Sequence, residues 1–587
     1  MKIEKGESVN TFSSSRAARL GVWFTLAVLA LILMTAGPVR AQVSSGSISG
    51  SVTDATGSLV PDVAITATNV DTKEQFNTKT DSAGLFQLNS LAIGNYDVEL
   101  TKQGFKKVVV GGVTVSAGVD HGLGSIALQL GAVTVTVEVS AAPALMESSQ
   151  SQISTTFTSQ YVTDYAGLQE NQGLDFLALQ LPGVAMTRDQ GFSNTNGVGF
   201  SVDGLRGRNN DQEIDGQNNN DNSVAGPGLF VSNPDFVEQY QITTNNFAPE
   251  YGRNSGSVVN EITPSGKNNW HGTIAGSEEN QDLTTRTNIE KNCVFGDCLG
   301  EVPWFNTVFA STTAGGPIIK DKFFMFGGFD TNISESRAVA QSGTFQPDPT
   351  GLAELAACYP NSDSVSALRS FGAFAIGAGN PVVVGTPGAV TTVGANGVTP
   401  CSVEVSQFQR TIGTPAHEYD FLIRPDWVVG SNRFYGRYIY NKTTFINSSG
   451  DIAGGYFYDV PALSQSLLVG WSRPITNNMT NEFRASYSRL NVDFGGNSFG
   501  NTVPPASGLA TALASVGISA GSAVFPDGST QGVTFDSFGP ANNIPQARIV
   551  NSYQLQDNWS YVHGRHQWKA GVNATYQQSP NVFLQGF

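Results

Sequence analysis

His566-Gln567-Trp568-Lys569-Ala570-Gly571-Val572-Asn573-Ala574-Thr575-Tyr576-Gln577 alternates in character without a slip. Successive residues of a strand point to opposite faces. One face therefore carries His566, Trp568, Ala570, Val572, Ala574 and Tyr576, and the other carries Gln567, Lys569, Gly571, Asn573, Thr575 and Gln577. An apolar face framed by aromatics, backed by a polar one, fits a strand set between lipid and a water-lined lumen. Tyr553-Leu555-Asp557-Trp559-Tyr561 repeats the pattern with Asp557 out of place, and Phe483-Ala485-Tyr487 opposes Glu482-Arg484-Ser486-Ser488. A soluble sandwich also alternates on one side, but it gives no reason for the aromatic ends.

Connection lengths separate the two readings. Working outward from 566–577, strands fall near residues 270–278, 304–316, 322–332, 417–426, 432–441, 462–473, 478–494, 549–561 and 565–577. Between them, 317–321, 427–431, 474–477 and 562–564 are tight, whereas 279–303, 333–416, 442–461 and 495–548 are long. Short turns on one side and long loops on the other are the rule of outer-membrane barrels. Nine strands leave two unpaired edges in lipid, and Pro580-Asn581 interrupts a terminal strand. The chain thus reads as a fragment of a longer barrel protein, with closure by oligomerisation as the alternative.

The bulk numbers agree. Of 587 residues only 14% are charged, with 65 Gly and 10% aromatics, against about a quarter charged in soluble domains. Lys2, Lys5, Arg16 and Arg19 precede an apolar stretch at 20–36, then Gly37-Pro38 and Val39-Arg40-Ala41, the layout of an export signal cut before Gln42. An uncleaved inner-membrane anchor is the other reading. Removing 1–41 takes the net charge from −16 to −19, which leaves no basic patch for nucleic acid. Export permits disulfides among Cys293, Cys298, Cys358 and Cys401, all in the long loops. Cys293 and Cys298 could close a small loop. A zinc site is the alternative, but no second Cys or His pair accompanies that spacing.

Ahead of the barrel, strand-like runs at 47–53, 62–69, 85–88, 94–101 and 107–115 predict a small β-sandwich over 42–131. Gly50-x-Val52-x-Asp54-x-x-Gly57, Thr80-Asp81-x-x-Gly84-x-Phe86-x-Leu88 and Leu91-x-x-Gly94-x-Tyr96-x-Val98 resemble the carboxypeptidase regulatory-like domain, an immunoglobulin-like fold. His121 is the one histidine there, so no peptidase activity follows, and a spacer role is expected. Related sandwiches bind carbohydrate, which makes a carbohydrate-related ligand one expectation, although no aromatic platform is visible.

Residues 150–268 are rich in Asn, Gln, Asp and Gly. Leu181-Pro182-Gly183-Val184, Val202-Asp203-Gly204, Ile214-Asp215-Gly216-Gln217, Pro234-Asp235-Phe236-Val237 and the 248–260 segment resemble the plug of TonB-dependent outer-membrane receptors, of the Oar-like branch. The resemblance runs over residues 47–577. It implies a plug at 150–268 inside a barrel starting at 269, and energising barrels of roughly 22 strands. It also implies that the linker 132–149 holds a coupling segment, Val133, Thr134, Val135, Thr136, Val137, Glu138 and Val139, offered to an inner-membrane transducer of the TonB type by strand addition. A plain linker strand is an equal reading of those residues. Glu250 and Arg253 are expected at the plug–wall contact.

No catalytic residue, cofactor or metal is expected. Asp211-x-Glu213-x-Asp215-Gly216 imitates a calcium loop but has Asn222 at the twelfth position. His563 and His566 read as opposite faces of a strand, and His417-Glu418 lacks a helical partner His. The expected function is import or binding of an unidentified ligand at the outer membrane. A surface protein that displays its loops for adhesion or sensing is the alternative.

Overall fold

The computed structural model of the chain describes residues 45–132, 136–140, 152–165, 174–187, 199–222, 226–248, 251–252, 254–285, 304–362, 365, 369, 382–393, 400–447, 458–476, 478–494, 521–533, 546–563, 566–579 and 581–583. The proposed signal, 1–41, lies outside them. No helix among the described residues is long and apolar enough to cross a membrane.

Strands β1 (Gly46–Asp54), β2 (Ala64–Asn69), β3 (Gln75–Lys79), β4 (Leu85–Leu91), β5 (Gly94–Thr101), β6 (Lys107–Val115), β7 (Asp120–Leu128) and β8 (Thr136–Ser140) form a sandwich. Its sheets run β4-β1-β7 and β3-β2-β5-β6-β8. The alternating inward residues Ile48, Val52, Phe86, Tyr96, Val98 and Leu100 are buried between them. Strands β3 and β7 escape sequence reading. β3 turns only Phe76 and Thr78 inward, and the first half of β7, Asp120-His121-Gly122-Leu123-Gly124, has polar residues and glycines where an apolar run would mark a strand. The sandwich also extends past residue 131. β8 joins it as a parallel edge strand, Lys107 opposite Thr136 through Gly111 opposite Ser140.

The plug contains β9 (Ile153–Thr158), α1 (Ser159–Tyr165), β10 (Val184–Met186), β11 (Phe200–Val202), β12 (Asp211–Ile214), β13 (Gln217–Asn218), β14 (Asn220–Asp221), β15 (Gly226–Pro227), β16 (Gln239–Asn245) and β17 (Val258–Ile262). Its sheet runs β13-β12-β17-β16-β9. Phe200, Phe236, Tyr240 and Ile242 pack under it, and the wall residues Phe326, Leu422 and Ile439 join the same cluster.

The wall is an antiparallel sheet: β18 (His271–Asn280), β19 (Phe305–Ile319), β20 (Phe323–Pro347), β23 (Ala416–Val429), β24 (Asn432–Asn447), β25 (Tyr458–Thr476), β26 (Met479–Phe494), β29 (Gln546–His563) and β30 (His566–Gln578). These nine correspond one for one to the strands expected from alternation. Along β29, Tyr553, Leu555, Trp559 and Tyr561 are exposed, whereas Ser552, Gln554, Gln556 and Asn558 are buried against the interior. Asp557, out of pattern in the sequence, accepts hydrogen bonds from the side chains of Asn481 and Trp559. The edge strands β18 and β30 do not pair with each other. β31 (Asn581–Phe583) continues the line of β30 along β29 after a break. The register pairs His563 with His566 across the β29–β30 turn, so they occupy two strands and not opposite faces of one.

The loop at 333–416 is more ordered than its composition suggests. β20 runs on to Pro347 and its outer half pairs with β22 (Cys401–Gly413). β22 pairs with β21 (Val382–Val393), and α2 (Pro349–Cys358), capped by Asp348, packs beside it. The hairpin β27 (Gly521–Val524) and β28 (Thr530–Val533), from the other long loop, adds to β21. Phe345, Leu355, Val403, Val405 and Ala523 form a small core, and a Cys358–Cys401 disulfide closes it. Cys293 and Cys298 lie outside the described residues.

Candidate functional site: the seam between plug and wall

Ile214-Asp215-Gly216-Gln217 is a two-residue hairpin, with Ile214 paired to Gln217. Asp215 and Gly216 both have positive φ, 51° and 71°. This is the primed turn that Asp-Gly favours, because both central positions need left-handed backbone. The tip projects from β12 into the wall.

Three wall arginines meet it. Arg437 Nη1 donates to Asp215 Oδ2 at 3.1 Å and to the Ile214 carbonyl at 3.0 Å. Its Nη2 donates to Ser466 Oγ at 2.6 Å and also to Gln217. Arg424 Nη1 lies 3.4 Å from Asp215 Oδ1 and donates to the Thr263 carbonyl at 2.6 Å. Arg484 Nη1 donates to the Asp215 carbonyl at 3.2 Å, and Gln556, directly opposite Arg484 across β26–β29, donates to the Gly216 carbonyl at 3.2 Å. Arg437 and Arg484 are each 1% exposed. At that burial charge pairs are little screened, and each ion depends on its partner for having left water. A side chain at Gly216 would place its Cβ 2.2 Å from Arg484 Nη1 and would displace that guanidinium, and the left-handed φ of 71° favours glycine there in any case.

Further contacts run along the seam. Asn233 of the plug donates to Asp330 and Ser311 of the wall, both at 2.8 Å. Ser232 donates to Glu418 at 3.1 Å, and Arg548 pairs with Asp221 at 3.4 Å. These bonds can be exchanged for water when the seam parts, whereas Phe326, Leu422 and Ile439 of the wall share an apolar cluster with Phe236, Tyr240 and Ile242 of the plug.

Within the plug, burial holds the Asp175 carboxyl up to about 7 from its ordinary 3.8, while the hydrogen bond from the Tyr240 hydroxyl, 3.2 Å away, pulls the other way. Burial also pushes Glu261 well above the carboxylate range, with Asp175 and Asp215 adding to it. For raised carboxyls the stabilising proton is present below the unfolded pKa and lost as pH rises through the folded one. Plug stability should therefore fall between about pH 4 and pH 7. Asp175→Asn should leave only the part that Glu261 contributes. Amide exchange of β16 across that range checks this, and equal protection at pH 5 and pH 8 would contradict it.

Of the residues singled out by sequence, Glu250 and Arg253 lie outside the described residues, as do Val133, Thr134 and Val135. Thr136, Val137, Glu138 and Val139 are in the β8 edge strand. Asp211, Glu213 and Asp215, the imitation calcium loop, form β12 and the hairpin tip, where Asp215 faces arginines. Arg424, Arg437 and Arg484 were not singled out as site residues. Their one signal is a cation at a lumen-facing position in an alternating strand.

Residues 262–586, more than half of the chain, match the outer membrane beta barrel domain family. Residues 47–129 match the carboxypeptidase regulatory-like domain. Among curated proteins the chain is similar to the TonB-dependent transporter Oar of Myxococcus xanthus, 25% identical over 320 residues, covering 53% of this chain and 29% of that one. Among solved structures it is similar to the siderophore receptor PirA of Acinetobacter baumannii, at 13% identity and a TM-score of 0.36 over 73% of this chain and 54% of that one. The outer membrane transporter YddB of Escherichia coli gives 12% identity and a TM-score of 0.34 over 73% and 57%. The chain thus spans less than a third of its curated relative.

Proposed function

We propose, for a chain that belongs to the outer membrane beta barrel domain family and is a TonB-dependent receptor with a carboxypeptidase regulatory-like domain in front, that it forms the gated part of a ligand importer. The ligand is held on the outer side, where the loops and the disulfide-closed extension stand. The plug is released from the periplasmic side by a transducer of the TonB type that takes up residues 133–139. The observation that carries this reading is the Asp215 hairpin held among Arg424, Arg437 and Arg484. A barrel that only displayed loops would have no use for a plug attached by separable polar bonds.

At the chemical level, two of the three arginines around the hairpin have an acidic partner on the wall itself. Arg424 retains Asp426 at 3.1 Å and Arg484 retains Glu482 at 3.2 Å, so the charge that release exposes is chiefly that of Arg437, whose acidic partner is Asp215 of the plug. The ligand's chemistry is not assigned, and a carbohydrate-related one rests only on the sandwich resemblance. The signal at 1–41 is proposed to be removed on export. The test is binding of the purified transducer's periplasmic domain to the full-length protein, with and without residues 133–139. Binding is expected for the intact protein and a loss of at least tenfold on deletion, an ordinary size for losing a docked strand. Equal binding would remove the coupling role.

A further inference from the structure

We infer that the N-terminal sandwich is a clamp that ties the plug to the wall from the periplasmic side, and that its release loosens the plug. The inference rests on the gated-plug reading above and gives the sandwich a part in the same gate.

The sandwich is seated across the seam and bonded to both sides of it. Toward the plug, Gln241 Nε2 donates to the Ala117 carbonyl at 2.7 Å, and the Ala117 amide donates to Gln239 Oε1 at 3.3 Å. The Asn268 amide, between plug and wall, donates to the Asp71 carbonyl at 3.1 Å, and Lys267 lies 3.5 Å from the Asp71 carboxylate. Toward the wall, Ser90 Oγ donates to Thr480 Oγ1 at 3.1 Å and Ser45 Oγ to Glu482 at 3.3 Å. Glu74 pairs with Arg433 at 3.7 Å, their side chains 11% and 16% exposed.

This second tie is continuous with the first. Arg433 is 3.1 Å from Asp426, Asp426 is 3.1 Å from Arg424, and Arg424 is 3.4 Å from Asp215. Charges alternate from Glu74 of the sandwich, through the wall, to the plug's hairpin tip. A cavity of about 100 Å³ lies where the three bodies meet, lined among others by Asn69, Asp71, Glu238, Thr263, Arg424 and Arg433. The hydrogen bonds and ion pairs named here are of the kind that lets an interface between domains part. The clamp also contains β8, the described part of the coupling segment, held along β6 in parallel register. The partner proposed above therefore engages the clamp itself.

The test compares amide exchange at Gln212–Gln217 in three forms of the full-length protein in lipid. The sandwich touches none of these residues in the contacts named, so simple covering would not change them. The forms are the native protein, one lacking residues 45–132, and Ser90→Cys/Thr480→Cys oxidised to pin the sandwich to the wall. Exchange should quicken about tenfold without the sandwich, a usual size for coupled sites. It should slow in the pinned form and return on reduction. Unchanged exchange in the pinned form overturns the inference, and so does unchanged exchange without the sandwich. If the shortened chain fails to assemble, the pinned form decides alone. Failure of the coupling role would appear instead as unaltered transducer binding on deletion of 133–139, which leaves this readout untouched.

Discussion

Asp215→Ala should loosen the plug more than any other single change on the seam. Arg424 keeps Asp426 and Arg484 keeps Glu482, whereas among the described residues Asp215 is the acid paired with Arg437, which is 1% exposed. Removing one member of a buried pair costs about 3–5 kcal/mol, because the remaining charge is stranded away from water. Exchange at the hairpin should therefore rise by roughly two to three orders of magnitude, while the β26 and β29 amides of the wall stay protected. Asp215→Ala/Arg437→Met should recover most of that loss, since an apolar side chain of similar volume leaves nothing to neutralise. If the double variant is as loose as the single one, the pair is not what holds the plug.

Leu555→Arg is the second large effect, and it tests the outside of the wall. Leu555 is 55% exposed on β29, between Tyr553 and the pair Trp559 and Tyr561. On the surface of a soluble protein an added arginine there would matter little, within about 0.5 kcal/mol. Against hydrocarbon near the bilayer centre it costs about 2–4 kcal/mol. Folding of the full-length protein into lipid vesicles, titrated with urea, should show that loss. A change within error would remove lipid from that face.

What sequence could reach follows from how local each signal is. The wall strands were legible because period-two alternation is written within a dozen residues, as in Trp568 to Tyr576. Asp215-Gly216 likewise announces a tight hairpin by its own chemistry. What that hairpin touches was not legible. Arg424, Arg437 and Arg484 lie more than two hundred residues further along, and a lone lumen-facing arginine acquires meaning only once a plug stands opposite it. The outer extension was hidden for the same reason, since β21 pairs with β27 from another loop. β8 reads as a linker because five residues of Thr, Val, Glu and Ser carry no sign of the β6 edge they join. The contacts of the sandwich with plug and wall were not legible for a similar reason: they are single polar atoms, Gln241 to Ala117 and Ser90 to Thr480, far apart in the chain.

The plug is held against the wall through specific polar pairs. Asn233→Cys/Asp330→Cys in the full-length protein, in intact outer membranes, tests this most directly, because Asn233 Nδ2 lies 2.8 Å from Asp330 Oδ2. Mild oxidation should link plug to wall, so that both remain together after the chain is cut between 248 and 285. Two cysteines that stay unlinked under oxidation, each freely open to a thiol reagent, would contradict it.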